Sequence, residues 1–254
     1  MSFNPTKKEF VENYGYTLDE MWYPRVTKIV EIKAKPALYR FYAKVDSFEA
    51  GERIKERSAV EGTLVHETVE DLLLGKKPVV QKSIRPSVEA FLTFIEKNNI
   101  EVEKEHIEFR LVNYEHRYAG TLDAVAKIGG KTGILDIKTS QEVYRDYNLQ
   151  TAAYMAAMNG VIKGLDTRWI LRIDQVRPCT RCGAVLRSKG GRDKVITDWK
   201  NPKMRNCPHE WGELEGRIEL KEFPEWRDDF QAFLGAKKLW EWEYEEMLKD
   251  IGYL

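Results

Sequence analysis

Two short apolar runs with isolated charges, Leu122-Asp-Ala-Val-Ala-Lys-Ile128 and Thr132-Gly-Ile-Leu-Asp-Ile-Lys138, are joined through Gly129-Gly130. A Gly-Gly pair between such runs marks a tight β-hairpin, because both central positions of a type I′ turn need positive φ. With a two-residue turn, Ile128 faces Lys131, and Asp123 falls across from Asp136. Directly opposed side chains have Cβ atoms roughly 4.5–5.5 Å apart, where like charges destabilise the pair. Two carboxylates that close on an apolar hairpin call for a cation or a shared proton. Strand alternation puts Lys138 on the face of Asp136, with Leu135 and Ile137 on the other. Hard oxygen ligands of this kind suit Mg²⁺ or Mn²⁺. A plain surface hairpin in which Asp136 pairs with Lys138 is the competing reading.

The flanks carry further candidates. Apolar residues recur near the 3.6 period over 58–74, predicting a helix that Gly75 and Pro78 end. His66 lies beside that stripe, one turn after Gly62. Residues 46–58 are charged and poor in apolar side chains, and read as a flexible or solvent-facing segment. A second amphipathic helix is expected over 87–98 and a strand over 102–112. A further helix over 144–158 puts Gln150 and Tyr154 on one face, and 167–174 reads as a core strand. Residues 1–20 suggest no role.

In combination and in order, Gly62-Thr-Leu-Val-His66, Gly120-Thr-Leu-Asp123, Asp136-Ile-Lys138-Thr-Ser and Leu149-Gln150-x-x-x-Tyr154 resemble the RecB-type branch of the PD-(D/E)XK nucleases. Within it they are similar to phage-type exonucleases and the mitochondrial genome maintenance exonuclease. Tyr23-Pro-Arg-Val-Thr-Lys-Ile-Val30 and Lys35-Pro-Ala-Leu-Tyr-Arg40 resemble that branch's N-terminal lead-in, so the likeness covers roughly 22–175. The resemblance implies a restriction-endonuclease-like mixed α/β domain with helices on both faces of a central sheet. It implies a metal-dependent exonuclease acting on DNA ends or single strands, in recombination, repair or phage DNA metabolism. His66, Asp123, Asp136 and the Ile137 carbonyl would then ligate Mg²⁺ or Mn²⁺, and Lys138 would act on the attacking water. Gln150 and Tyr154 would line the site. One upstream acid is also implied. Glu108, twelve positions before Gly120, fits the spacing expected from the resemblance, and Glu105 stays open. A non-catalytic nucleic-acid adaptor and a structure-specific endonuclease are the alternatives.

The chain departs from the family pattern at Cys179-Thr-Arg-Cys182-Gly183, which is followed by Cys207-Pro-His209. A Cys-x-x-Cys-Gly knuckle with a later Cys and His suits a tetrahedral structural Zn²⁺ site. His209 is the loosest member, because Cys-x-His is shorter than the usual spacing. This defines a zinc-binding insertion at about 177–211 within one domain spanning 1–254. Its basic segment, 187–194, reads as a flexible loop available to phosphates or to a protein partner. Leu214–Glu222 is expected to return to the sheet beside 168–173. Trp226, Phe230, Phe233, Trp240, Tyr244 and Leu248 then mark one long C-terminal helix with an apolar stripe.

Formal net charge is zero, but its distribution is uneven. Residues 168–205 carry eleven bases against three acids, and 210–250 carry thirteen acids against six bases. A phosphate backbone responds to such local potential rather than to the total. Three cysteines do not make a secreted disulfide framework. No apolar run approaches a membrane span, so a reducing, cytoplasmic setting is expected.

Overall fold

The computed structural model describes residues 5–198 and 200–254. The chain opens with α1 (Lys7–Tyr14), the hairpin β1 (Gly15–Leu18) and β2 (Met21–Pro24), and the short α2 (Val26–Val30) and α3 (Pro36–Tyr42). Two longer helices follow, α4 (Phe48–Leu73) and α5 (Arg85–Lys97). Next come β3 (Glu101–Val102), a 3₁₀ turn at Lys104–His106, β4 (Phe109–Asn113), β5 (Tyr118–Leu122), β6 (Ala124–Ile128) and β7 (Lys131–Lys138). After α6 (Asp146–Met158) and β8 (Leu165–Pro178) lie β9 (Val185–Lys189), β10 (Arg192–Ile196) and α7 (Pro202–Arg205). The chain closes with β11 (Glu215–Glu222), α8 (Arg227–Glu243) and α9 (Glu245–Asp250).

The Gly-Gly hairpin is present in the expected register, from Ile128 opposite Lys131 to Ala124 opposite Leu135. Gly129 and Gly130 both have positive φ, 57° and 81°. β7 then pairs in parallel with β8, and β11 returns antiparallel along the other edge of β8 from Trp169 to Val176. The result is a mixed central sheet. Alternation along its strands feeds two separate cores. Val125 and Ile134 pack with α6, α8 and the N-terminal elements. Ala124, Ala126, Leu135 and Ile137 pack with α4 and α5.

The C-terminal aromatic stripe is core. Phe10 stacks on Trp22 and Trp240 with centroids 5.6 and 6.0 Å away. Such pairs add about 0.5–1.5 kcal/mol each beyond burial, which gives the N-terminal segment a structural role its polar sequence did not suggest. Arg168, fully buried, pairs with Asp229 and donates to the carbonyls of Asn148, Phe223 and Glu225, tying β8 to α6 and to the start of α8.

Four expectations need correction or sharpening. Residues 48–58 are largely solvent-facing, but as the helical first half of α4, whose N-terminus is capped by the Ser47 side chain accepting from Ala50 N. The strand expected over 102–112 is broken into β3, the 3₁₀ turn and β4, because Glu108 takes φ +49°. The expected single C-terminal helix breaks at Tyr244 into α8 and α9. The basic segment 187–194 is the β9–β10 hairpin, not a loose loop. No helix among the described residues is long and apolar enough to cross a membrane.

Candidate active site

The strand ladder of the hairpin stops one residue short of the two aspartates. Asp123 sits at the bend between β5 and β6, and its Oδ2 accepts the backbone N–H of Ile137 at 2.5 Å. The same oxygen lies 3.2 Å from His66 Nε2, so α4 is brought against the hairpin at this point. His66 Nδ1 in turn lies 3.8 Å from Glu108 Oε1. The backbone N–H of Glu108 donates to the Asp123 carbonyl at 2.9 Å, which holds its left-handed conformation in place. Of the two upstream acids, Glu108 is the one placed here. Glu105 clusters with Glu103 and His106 instead.

Asp136 is fully buried. Lys138 Nζ lies 2.6 Å from Oδ2, a close ion pair. A buried carboxylate is costly unless a charge compensates it, and Lys138 supplies one here. Burial pushes the Asp136 carboxyl up to about 6. Burial and the Asp123 charge raise Glu108 to about 7. The hydrogen bond with Asp123 raises His66 to about 9 against the effect of burial. Burial would raise Asp123, but the His66 hydrogen bond and the Lys138 charge outweigh it and hold the group below its ordinary value. Burial opposes ionisation of Lys138, yet the charges of Asp136 and Asp123 keep its value above normal.

Tyr154 and Gln150 come from α6, and Gln150 Nε2 donates to the Tyr154 hydroxyl at 3.0 Å. Tyr154 is 1% exposed, so it floors the site beneath the aspartates rather than facing a substrate. Gly120 makes that possible: a Cβ there would stand 2.6 Å from the Tyr154 ring. Gly62 has a matching purpose on α4, where a Cβ would stand 2.7 Å from Thr139 Oγ1. The Gly residues of both motifs therefore allow close approach around the site.

Sequence reasoning missed three neighbours. Glu70, one turn after His66, joins His66 and Glu108 in a group whose ligand atoms lie within 4.8 Å of one another. Its i,i+4 spacing from His66 was the available signal. The Tyr147 ring centroid lies 5.2 Å from Lys138 Nζ, a cation–π contact. Thr139, next after Lys138, is gripped by the insertion.

In that insertion, Cys179, Cys182, Cys207 and His209 offer four ligand atoms within 4.8 Å of one another. Cys179 Sγ is 3.8 Å from Cys207 Sγ, and Cys182 Sγ is 3.4 Å from His209 Nδ1. Tetrahedral Zn–S and Zn–N bonds imply edges of about 3.6–3.8 Å. Burial would raise the Cys179 thiol, but backbone and His209 hydrogen bonds outweigh it and bring the group down to about 6, whereas burial and the neighbouring sulfurs push Cys207 up to about 12.

No family model matches the sequence, and no curated protein matches it. Among solved structures, SSO0001 is similar over 96% of this chain and 92% of its own, at 16% identity and a TM-score of 0.40. An alkaline exonuclease, LHK-Exo from Laribacter hongkongensis, is similar over 89% of this chain and 93% of its own, at 12% identity and a TM-score of 0.31. LHK-Exo in complex with dAMP covers 91% of this chain and 93% of its own, at 11% identity and a TM-score of 0.34. At that distance none of them bears on chemistry, which is read from the side chains.

Proposed function

We propose that the chain is a divalent-metal-dependent deoxyribonuclease of the RecB-type PD-(D/E)XK group that degrades DNA from ends or along single strands. The observation that carries this reading is the fully buried Asp136, 2.6 Å from Lys138 and beside the Asp123–His66 pair. A surface hairpin in which Asp136 merely pairs with Lys138 would leave Asp136 in water, not fully buried. The donor set, three carboxylates and one imidazole, fits Mg²⁺ or Mn²⁺.

His66, Glu108, Asp123 and Asp136, with the Ile137 carbonyl, would hold the ion. Once bound, a divalent ion lowers the pKa of an attacking water and neutralises charge on the scissile phosphate. Lys138 stays an ammonium at neutral pH, so its part is to stabilise negative charge growing on the phosphate oxygens. Tyr147 and Asp136 restrain that ammonium from two sides. Gln150 and Tyr154 fix the floor under both aspartates. Tyr39 and Arg40 on α3, an exposed aromatic beside a base, suit stacking on bases and pairing with phosphates of an incoming strand. The four-ligand Cys/His cluster would hold structural Zn²⁺.

The test is degradation of end-labelled linear DNA, single- and double-stranded, against circular forms with Mg²⁺, Mn²⁺ or EDTA. Loss of linear but not circular substrate, only with metal, is expected. Equal attack on closed circles would assign an endonuclease, and DNA binding without cleavage an adaptor.

A further inference from the structure

The β7–β8 ladder ends at Lys138 opposite Arg172, so the carbonyl of Thr139 lies past the last ladder bond and must find other donors. It finds two, both from the insertion. Lys189 Nζ donates to Thr139 O, and Arg187 Nη2 donates to the same oxygen at 3.2 Å. Arg187 is itself fixed by Asp174 on β8, with Nε 2.7 Å from Oδ2. The hairpin tip is equally tied down. Gly190 N donates to Glu61 Oε1 on α4 at 3.1 Å, and a Cβ on Gly190 would strike Ser58 Oγ and the Ile54 carbonyl. On the other side of Thr139, Gly62 leaves no room for a Cβ beside Oγ1. The residue that follows Lys138 is thus clamped between α4 and β9.

We infer that Lys189 is a positioning residue, and that the insertion is a brace which sets the place of Lys138 by gripping the next carbonyl. The Cys/His cluster anchors the base of this brace, where Cys179 continues directly from β8 and bridges Trp211. A methionine at 189 keeps the bulk of the side chain and removes both charge and donor. The carbonyl of Thr139 then keeps one donor, Arg187, and the end of β7 moves more freely. Lys189 holds protein backbone, not substrate, so its loss lowers turnover and leaves substrate affinity in place.

The inference rests on the nuclease reading for its kinetic arm but not for its structural one. Wild type, Lys189→Met and Lys189→Arg are compared by amide hydrogen exchange over residues 138–141 and by steady-state cleavage of linear DNA with saturating Mg²⁺. Expected in Lys189→Met are exchange at least about tenfold faster in that segment alone and kcat down by about tenfold or more. KM stays within about twofold, and Lys189→Arg restores most of both effects. Unchanged exchange at 138–141 overturns the brace whether or not the chain cleaves DNA. Faster exchange with a raised KM and intact kcat overturns the positioning role and makes Lys189 a DNA contact. If Lys189→Met does not fold, Lys189→Leu, which also lacks charge and donor, is measured against the same criteria. Absence of cleavage by the wild type with exchange behaving as expected rejects the nuclease reading and leaves the brace standing.

Discussion

Asp123 and His66 meet at 3.2 Å through a single carboxylate oxygen, Oδ2, which also takes the Ile137 N–H at 2.5 Å. Oδ1 carries neither contact. One oxygen therefore locks the hairpin end to α4. With the buried Asp136–Lys138 pair, this gives a cluster of charged groups organised by the fold.

That cluster has a pH signature. Asp136 at about 6, Glu108 at about 7 and His66 at about 9 all titrate above their ordinary values. A folded-state pKa above the unfolded one stabilises at low pH and is lost as pH rises through the folded value. These three groups therefore contribute stability that falls as pH climbs from about 5 to 9, while Cys179, held down at about 6, contributes in the opposite sense. Divalent binding needs the three site groups deprotonated. The melting shift produced by Mg²⁺ or Mn²⁺ is expected to be near zero at about pH 5 and to reach several degrees by about pH 8. A metal-induced shift independent of pH would contradict the ligand assignment.

Glu108, rather than Glu105, is the acid placed against His66. Glu108→Gln should weaken Mn²⁺ binding in calorimetric titration by about 10–100-fold. Glu105→Gln should leave it within about twofold. Equal effects of the two substitutions would remove Glu108 from the site.

Gly120 yields its Cβ space to Tyr154, a ring with nowhere to go at 1% exposure. Gly120→Ala forces overpacking, which costs about 1–3 kcal/mol in denaturant unfolding. Tyr154→Phe removes only the hydrogen bond with Gln150 and should cost about 0.5–1.5 kcal/mol.

The Cys/His cluster predicts about one Zn²⁺ per chain by elemental analysis of protein purified without added metal. Cys207→Ser should lower both zinc content and melting temperature. A full complement of zinc in that variant would place the metal elsewhere.

The hairpin was legible in the sequence because Gly-Gly fixes a turn and the turn fixes register. The positions of Asp123, Asp136 and Lys138 followed from it almost without further information. The motif around Gly62 singled out His66, which lies 3.2 Å from Asp123. The first half of α4 was hidden because its charged residues lie largely on solvent, leaving only the Ser47 cap as a signal. The break at Glu108 was hidden because a positive φ at glutamate is imposed by the Asp123 carbonyl, a tertiary contact. The grip of β9 on Thr139 joins residues about fifty positions apart, and no local pattern records it.

The most direct measurement of the central claim is the cleavage rate of wild type and Asp136→Asn on end-labelled linear DNA, each with Mg²⁺ and with EDTA. Circular dichroism and melting would check that both are folded. The account predicts metal-dependent cleavage by the wild type and a rate at least about 10³-fold lower in a folded Asp136→Asn. Equal metal-dependent cleavage by both would contradict it.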